Sequence, residues 1–200
     1  MLHAADWNRI DILCVIRDAQ GRPVTNVTKD RVQLLAAGEP RRILEFSRAT
    51  DQPQIETITL GPNVYQDAYQ AIMRKFSDPT RRKILVIEEK LSPGSLTPLP
   101  LVRRWELIFL AERRGVIIYV LSHSDRLQPL ADLAEETGGS VVLSERALQA
   151  ELAAQYRIVA EPPPHDPGTG AYNTLEVRAG GLRAQAPHNL YITPPWEVQP

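Results

Sequence analysis

The sequence is poor in the features that mark most catalytic and cofactor-binding proteins. It holds one cysteine, Cys14, so no internal disulfide can form. Cys14 sits in an apolar, strand-like run and reads as a small buried hydrophobe. The histidines His3, His123, His165 and His188 share no zinc spacing, so no structural metal is expected. Neither charge sign dominates. With 23 basic and 24 acidic side chains the formal charge is -1, which argues against a partner bound through its phosphates, and no nucleic acid is expected. No apolar run approaches the ~20 residues of a membrane helix. The start of the chain has no basic segment followed by an apolar stretch, so neither a membrane span nor an export signal is expected. Glycine-rich phosphate loops are missing as well: Gly138 and Gly139 follow a helical pattern instead of preceding one.

What is plentiful is proline, 17 residues, gathered at 93–100, 162–167 and 187–200. Proline lacks an N–H and fixes φ, so these clusters interrupt helices and inner strands and divide the chain. The first fifty residues read as β. Ile10 to Ile16 is an apolar strand, followed by a turn at Gln20-Gly21 and a short return strand. Val32 to Leu35 and Arg42 to Phe46 form a second hairpin about Gly38-Glu39-Pro40.

After Pro53 the pattern changes. Ile55 to Leu60 reads as a strand, and Tyr65, Ala68, Tyr69, Ile72 and Phe76 fall on one helical stripe. Lys83 to Ile87 and Val116 to Leu121 are unbroken apolar runs of the kind buried on both faces of a parallel sheet. Between them Leu101, Val102, Trp105, Ile108 and Phe109 recur at helical spacing and end at Gly115. Leu127 to Thr137 predicts a third helix, Val141 to Leu143 a third buried run, and Ser144 a cap for a further helix with Leu148 and Leu152. The strands Tyr156 to Val159, Leu175 to Val177 and Leu190 to Ile192 close the chain. The alternation over 55–143 predicts a small doubly wound, mostly parallel α/β sheet. The expected organisation is a β-domain of residues 1–50 and 156–200 with the α/β unit, 51–155, inserted in it. Trp105 and Tyr119 fit core positions, and Trp7 and Trp196 are candidate interface anchors.

Four stretches in series resemble the bacterial von Willebrand factor A-related domain proteins of the acidobacterial type. They are Val15-Ile16-Arg17-Asp18-Ala19-Gln20-Gly21-Arg22-Pro23-Val24-Thr25 running on to Phe46-Ser47; Tyr65-Gln66-Asp67-Ala68-Tyr69 with Arg82 to Ile87; Arg114 to Tyr119 with Leu130 to Gly139; and Glu151-Leu152 to Arg157 with Leu175 to Arg178. The resemblance covers most of the chain. It implies a von Willebrand A-like α/β domain beside a β-domain, used in protein recognition or adhesion without catalysis. It also implies a divalent cation above the carboxyl ends of the strands, held by Asp-x-Ser-x-Ser, a Thr and an Asp. The chain departs from that pattern throughout. No aspartate is followed two residues on by serine, and the segment of the first strand and helix is missing. Gly61-Pro62-Asn63-Val64 stands in the threonine loop, and Glu88-Glu89-Lys90 replaces the later Asp. The expectation is a degenerate site without a metal. Relatives usually work outside the cytoplasm, and with no signal here the compartment is left open.

The candidate residues all lie at strand ends. Asn63, Glu88, Glu89, Ser122, His123 and Asp125 are read as contacts for a protein partner. Two alternatives stand beside this. Glu88 and Glu89 with Asn63 would hold Mg²⁺ or Ca²⁺ in a surviving adhesion site, against the plainer reading of a solvated loop with Lys90 pairing a carboxylate. The Ser122 to Asp125 loop has the residue types of a hydrolase but no Gly-x-Ser-x-Gly turn, and a helix-capping loop is the plainer reading. The arginine pairs at 41–42, 81–82, 103–104 and 113–114 read as solvated faces. With its neighbours lost, the strand Ile55 to Leu60 is expected to carry an open sheet edge. Only Glu56 is charged there and no proline interrupts it, so this edge, or the adjoining Tyr65 to Tyr69 helix face, is expected to form a homodimer or to dock a partner strand.

Overall fold

The computed structural model describes residues 9–61, 63–76, 81–89, 101–122, 128–164 and 171–192. In chain order the elements are β1 (Ile10–Arg17), β2 (Val32–Ala36), β3 (Glu39–Arg41), β4 (Ile43–Arg48), β5 (Gln54–Thr59), α1 (Val64–Arg74), β6 (Lys83–Glu88) and α2 (Leu101–Arg114). They continue with β7 (Val116–Leu121), α3 (Gln128–Glu136), β8 (Val141–Val142), α4 (Glu145–Ala154), β9 (Tyr156–Ala160), β10 (Ala171–Ala179), β11 (Arg183–Gln185) and β12 (Asn189–Ile192). The class is mixed α/β, with one parallel sheet and two antiparallel ones.

The antiparallel sheets run β11-β1-β9-β4 and β12-β10-β2-β3 and share one apolar core. Alternation along β1 supplies it: Ile10, Ile12, Cys14 and Ile16 face inward, against Leu34 and Ala36 of β2, Ile158 of β9 and Val177 of β10. Burial pushes the Cys14 thiol up to about 12, as an apolar site does to any group that would ionise. Phe46 stacks on Tyr156 at 4.8 Å between ring centres, and the Tyr156 hydroxyl accepts from Val27 N–H at 3.0 Å and donates to Val24 O at 3.1 Å. That pins the otherwise irregular loop after β1.

Two hairpin expectations change. The run after Gly21 is no return strand but a single bridge, Arg17 to Pro23. Asp18 ties this turn by accepting the N–H groups of Arg22 and Gln20, each at 2.9 Å. The first of these holds its carboxyl below the usual range. The second hairpin is β2 to β3, about Ala37 (φ 54) and Gly38 (φ 79). Beyond Arg42 the chain leaves that sheet, and β4 pairs with β9 through a bulge between Ile43 and Glu45. One strand predicted as a hairpin arm therefore crosses the core.

The parallel sheet has the order β5-β6-β7-β8. The predicted double winding does not form, because the strand order never reverses. Crossovers that always step the same way, sharing one hand as such connections do as a rule, lay α1, α2 and α3 on one face. There Val64, Ala68, Ala71, Ile72, Leu107, Ile108, Ala111 and Leu133 cover Leu85, Ile87, Ile118 and Val120. The opposite face, Ile84, Val86, Ile117, Tyr119 and Leu121, is buried by Leu148 and Leu152 of α4, by Leu13 on the back of β1 and by Ala49. Ser144 caps α4, its Oγ accepting from Ala147 N–H at 3.1 Å. Burial corrects several side-chain assignments: Trp105, expected in the core, is 47% exposed, and Phe109, Tyr69 and Leu143 are exposed too.

A polar seam joins the two units. Arg82, read as part of a solvated pair, is only 5% exposed. Its Nη1 donates to Leu152 O at 2.9 Å and to Gln155 Oε1 at 2.7 Å, and its Nη2 donates to Asp51 O. Its Nε lies 3.0 Å from the Asp51 carboxylate without aiming its hydrogen at it. Gln155 Nε2 donates to the buried Tyr119 hydroxyl at 3.2 Å. Nearby, Glu151 accepts from Arg17 Nη2 at 2.6 Å and from Ser140 Oγ at 2.8 Å.

The turn from α3 into β8 packs against the sheet with no room for a side chain. A Cβ on Gly139 would stand 1.9 Å from the Ile118 carbonyl oxygen and 2.8 Å from its carbon. Since backbone at the centre of the sheet cannot yield, Gly139→Ala should lower unfolding stability by about 3 kcal/mol. Urea denaturation reads this, and an unchanged midpoint would show that the turn shifts freely. A second expectation concerns chain order. Strands β9 and β10 lie inside their sheets, between β1 and β4 and between β12 and β2, so a chain ending at Ser144 should aggregate without a cooperative melt. A soluble, cooperatively melting monomer would show that the N-terminal strands pair without them.

Candidate functional site

The carboxyl ends of the parallel strands are stepped. Leu60 N–H donates to Glu88 O at 2.8 Å, Glu89 N–H to Leu121 O at 2.9 Å, and Ser122 N–H to Val142 O at 3.0 Å. These bonds bring Glu88, Glu89 and Ser122 to one edge. Asn63 stands at the start of α1, exposed, its carbonyl accepting from Asp67 N–H at 2.9 Å while its side chain makes no capping bond. His123 and Asp125 lie outside the described residues, as do Lys90, Trp7 and Trp196.

The chemistry of this edge is narrow. Ser122 is fully buried, and its hydroxyl donates to Glu89 Oε2 at 2.5 Å. With no exposed surface, this hydroxyl is not open to a substrate from solvent. The same bond occupies one of the oxygens a cation would need. Among the described residues no group of three His, Cys, Asp or Glu side chains is placed to hold a metal. The winding matters as well. Ligands of open α/β sheets bind in the crevice where strand order reverses, and this sheet has no reversal. An open depression lined by Lys29, Asp30, Val32, Gln33, Arg41 and Ile43 lies on the sandwich, away from the strand ends.

A second surface is the outer side of β5. In a parallel ladder the residues alternate in bonding to one neighbour or the other. Gln54 N–H donates to Arg82 O and Leu60 N–H to Glu88 O, both at 2.8 Å. Gln54, Glu56, Ile58 and Leu60 therefore bond inward, and Ile55, Thr57 and Thr59 turn their N–H and C=O groups outward. Among the described residues no strand pairs there. The same three side chains are exposed, because α4 and β1 cover the sheet only over β6 to β8. Sequence showed the strand and its lack of charge, but not which residues face out, since that depends on the register with β6.

A third surface is aromatic. On α1, Tyr65 donates to Glu106 of α2 at 2.6 Å and lies 6.3 Å from Tyr69. Arg114 Nη2 reaches the Met73 sulfur at 3.8 Å. On α2, Phe109 meets Tyr191 edge to face at 5.8 Å, Arg113 lies over Tyr191 at 5.5 Å, and Arg104 lies over Trp105 at 5.4 Å. The helical spacing that suggested buried Trp105 and Phe109 in fact marks the stripe beside the core. The spacing gives the face but not its direction.

No helix of the described residues is long and apolar enough to cross a membrane. In comparisons with known proteins, no family model, no curated protein and no solved structure matches the chain.

The strand-end geometry carries an expected outcome for metal. A cation bound only by the folded state at a hundredfold excess over its Kd would add about 2.7 kcal/mol of stability. With Glu89 engaged by Ser122, millimolar Mg²⁺, Mn²⁺ or Ca²⁺ should leave the melting temperature unchanged. A rise of several degrees that disappears in Glu88→Ala or Glu89→Ala would establish the surviving adhesion site instead.

Proposed function

We propose that the chain is a non-enzymatic protein-interaction module, a reduced von Willebrand A-like unit set in a β-sandwich, which engages its partner through the outer side of β5. The observation that carries this reading is the contrast between β5 and the other sheet edges. Soluble proteins blunt exposed edges with short strands, prolines, bulges or charge. Among the described residues, β3 has Pro40 between Glu39 and Arg41, and β4 has its bulge with Glu45 and Arg48. Strand β11 is three residues long, β8 is two, and β12 is contacted by Phe109 and Glu112 of α2. Among the described residues only β5 offers an edge of six regular residues, and its outward positions, Ile55, Thr57 and Thr59, carry no charge.

The winding supports the same reading. A sheet that steps in one direction leaves its first strand at the rim, where a complete von Willebrand A-like sheet would continue. The carboxyl ends, where the resemblance puts the metal and the ligand, offer a half-buried glutamate pair and a buried serine. A strand added to β5 would gain main-chain hydrogen bonds for affinity and contact with Ile55 for selectivity.

Capture from a host extract on immobilised protein tests this. A protein retained by the wild type and by Asn63→Ala but lost with Thr57→Pro is the expected result. Proline at 57 removes an outward N–H and leaves the β6 ladder intact. Retention by Thr57→Pro with loss on Glu89→Ala would move the docking site to the strand ends. Ester or amide hydrolysis abolished by Ser122→Ala would replace the reading with the hydrolase one.

A further inference from the structure

We infer that the partner of the β5 edge is a second copy of the same chain, paired antiparallel about a two-fold axis through Thr57, so that two four-stranded sheets join into one of eight strands. The inference rests on the reading of β5 as an interaction edge and specifies what occupies it. It follows from the register and charge of the strand.

Only odd-numbered residues of β5 turn their backbone outward, as the inward bonds of Gln54 and Leu60 require. A two-fold pairing must then match odd with odd, and three axes come into question. An axis at Glu56 would set two carboxylates directly opposite, a repulsive pair. An axis at Ile58 would draw Gly61 into the ladder, but the strand has ended at Thr59 and the Gly61 carbonyl already accepts from Val64 N–H at 3.1 Å. An axis at Thr57 uses only strand residues. It pairs Thr57 with Thr57 of the second copy and Ile55 with Thr59, and every outward N–H and C=O of Ile55, Thr57 and Thr59 finds a partner.

The side chains agree with that axis. Glu56 falls opposite Ile58 of the other copy, so no like charges meet. Ile55, exposed on the face that α4 leaves uncovered, packs against Thr59 across the junction. At the strand's start Arg81 holds the incoming chain by donating to Gln52 O at 2.8 Å and Pro53 O at 3.0 Å. That end comes to lie beside the uncharged Leu60 and Gly61 of the other copy. A partner of unrelated sequence would need these same matches by coincidence, whereas a second copy has them by symmetry.

The interface is one short strand pair, smaller than the interfaces of stable complexes, so association is expected to be weak, in the micromolar to submillimolar range. Sedimentation or light scattering up to about 200 µM reads it. The wild type should dimerise, and Thr57→Pro should weaken the dimer by at least about tenfold. Thr57→Lys and Thr57→Glu keep the backbone intact, and each should be monomeric alone because like charges would face each other at about 5.5 Å. Mixed one to one, they should dimerise again. Thr57→Cys should cross-link on oxidation, whereas Ile55→Cys should not, since its counterpart lies four residues away, about 13 Å. Cys14 is buried and does not compete. Far- and near-ultraviolet circular dichroism confirms that each variant folds. A wild type that is monomeric throughout, or a dimer indifferent to Thr57→Lys, overturns the inference. If the monomer nevertheless captures a host protein in a Thr57-dependent way, the broader reading of the edge stands and only the identity of its occupant falls.

Discussion

The structure depends on the direction in which its parallel sheet is wound. Each β-α-β step adds its new strand on the same side, giving β5-β6-β7-β8, and such connections share one hand as a rule. With that sequence of steps the three connecting helices have one face available, and the other is left as bare apolar sheet. Ile84, Val86, Ile117 and Tyr119 would be in water without further covering. A doubly wound sheet solves this with its own second set of helices. Here the covering comes from α4, which follows the last strand, and from Leu13 on the back of β1. Strand β1 thus serves two cores through the alternation of its side chains, Ile12 and Cys14 into the sandwich and Leu13 toward the parallel sheet.

That shared burial brings polar groups to a junction where water is scarce, and the seam around Arg82 answers to it. A buried guanidinium is tolerable only when its donors are used. Arg82 reaches the end of α4 through Leu152 and Gln155, and the linker into β5 through Asp51. Gln155 passes the contact on to Tyr119, whose phenol is pushed up by burial first and by the charge of Glu151 second. Arg17, at the end of β1, pairs with Glu151 of α4. Ion pairs of this kind add little net stability, but their geometry fixes where α4 lies between the two units.

Much of this was legible in the sequence where local physics decides. The apolar runs of β6 and β7, the glycine after α2 and the serine before α4 each announce an element or its end, because strand burial, a left-handed turn residue and a capping hydroxyl are local requirements. What stayed hidden depends on distant partners. Arg82 looked like half of a solvated pair, since nothing nearby in sequence shows that Leu152 and Gln155 will meet it. Residues 42–46 looked like a hairpin arm because the turn before them is real, but β4 has its partner in β9, more than a hundred residues on. Trp105 and Phe109 lie at helical spacing, and only the position of α2 on the sheet shows that Leu107, Ile108 and Ala111 take the buried side. Of the strand-end candidates, Ser122 and Glu89 meet through a tertiary bond that nothing local in the sequence announces.

The same winding bears on both candidate surfaces. Ligands of open α/β sheets usually bind where the strand order reverses, and among the described residues this order, β5-β6-β7-β8, shows no reversal. Among the described residues no strand is added on the far side, so β5 stays at the rim, and α4 lies too far along the sheet to shield it. An exposed edge is an aggregation hazard unless its pairing is limited. If β5 pairs with a second copy as proposed, the limit lies in the strand itself: with Glu56 on one side of Thr57 and the strand ending at Thr59, the register about Thr57 is the one that avoids repulsion and distortion. On the proposal that β5 pairs with a second copy of itself, a two-fold pair would use up both β5 edges and leave only the two-residue β8 strands at the ends of the joined sheet.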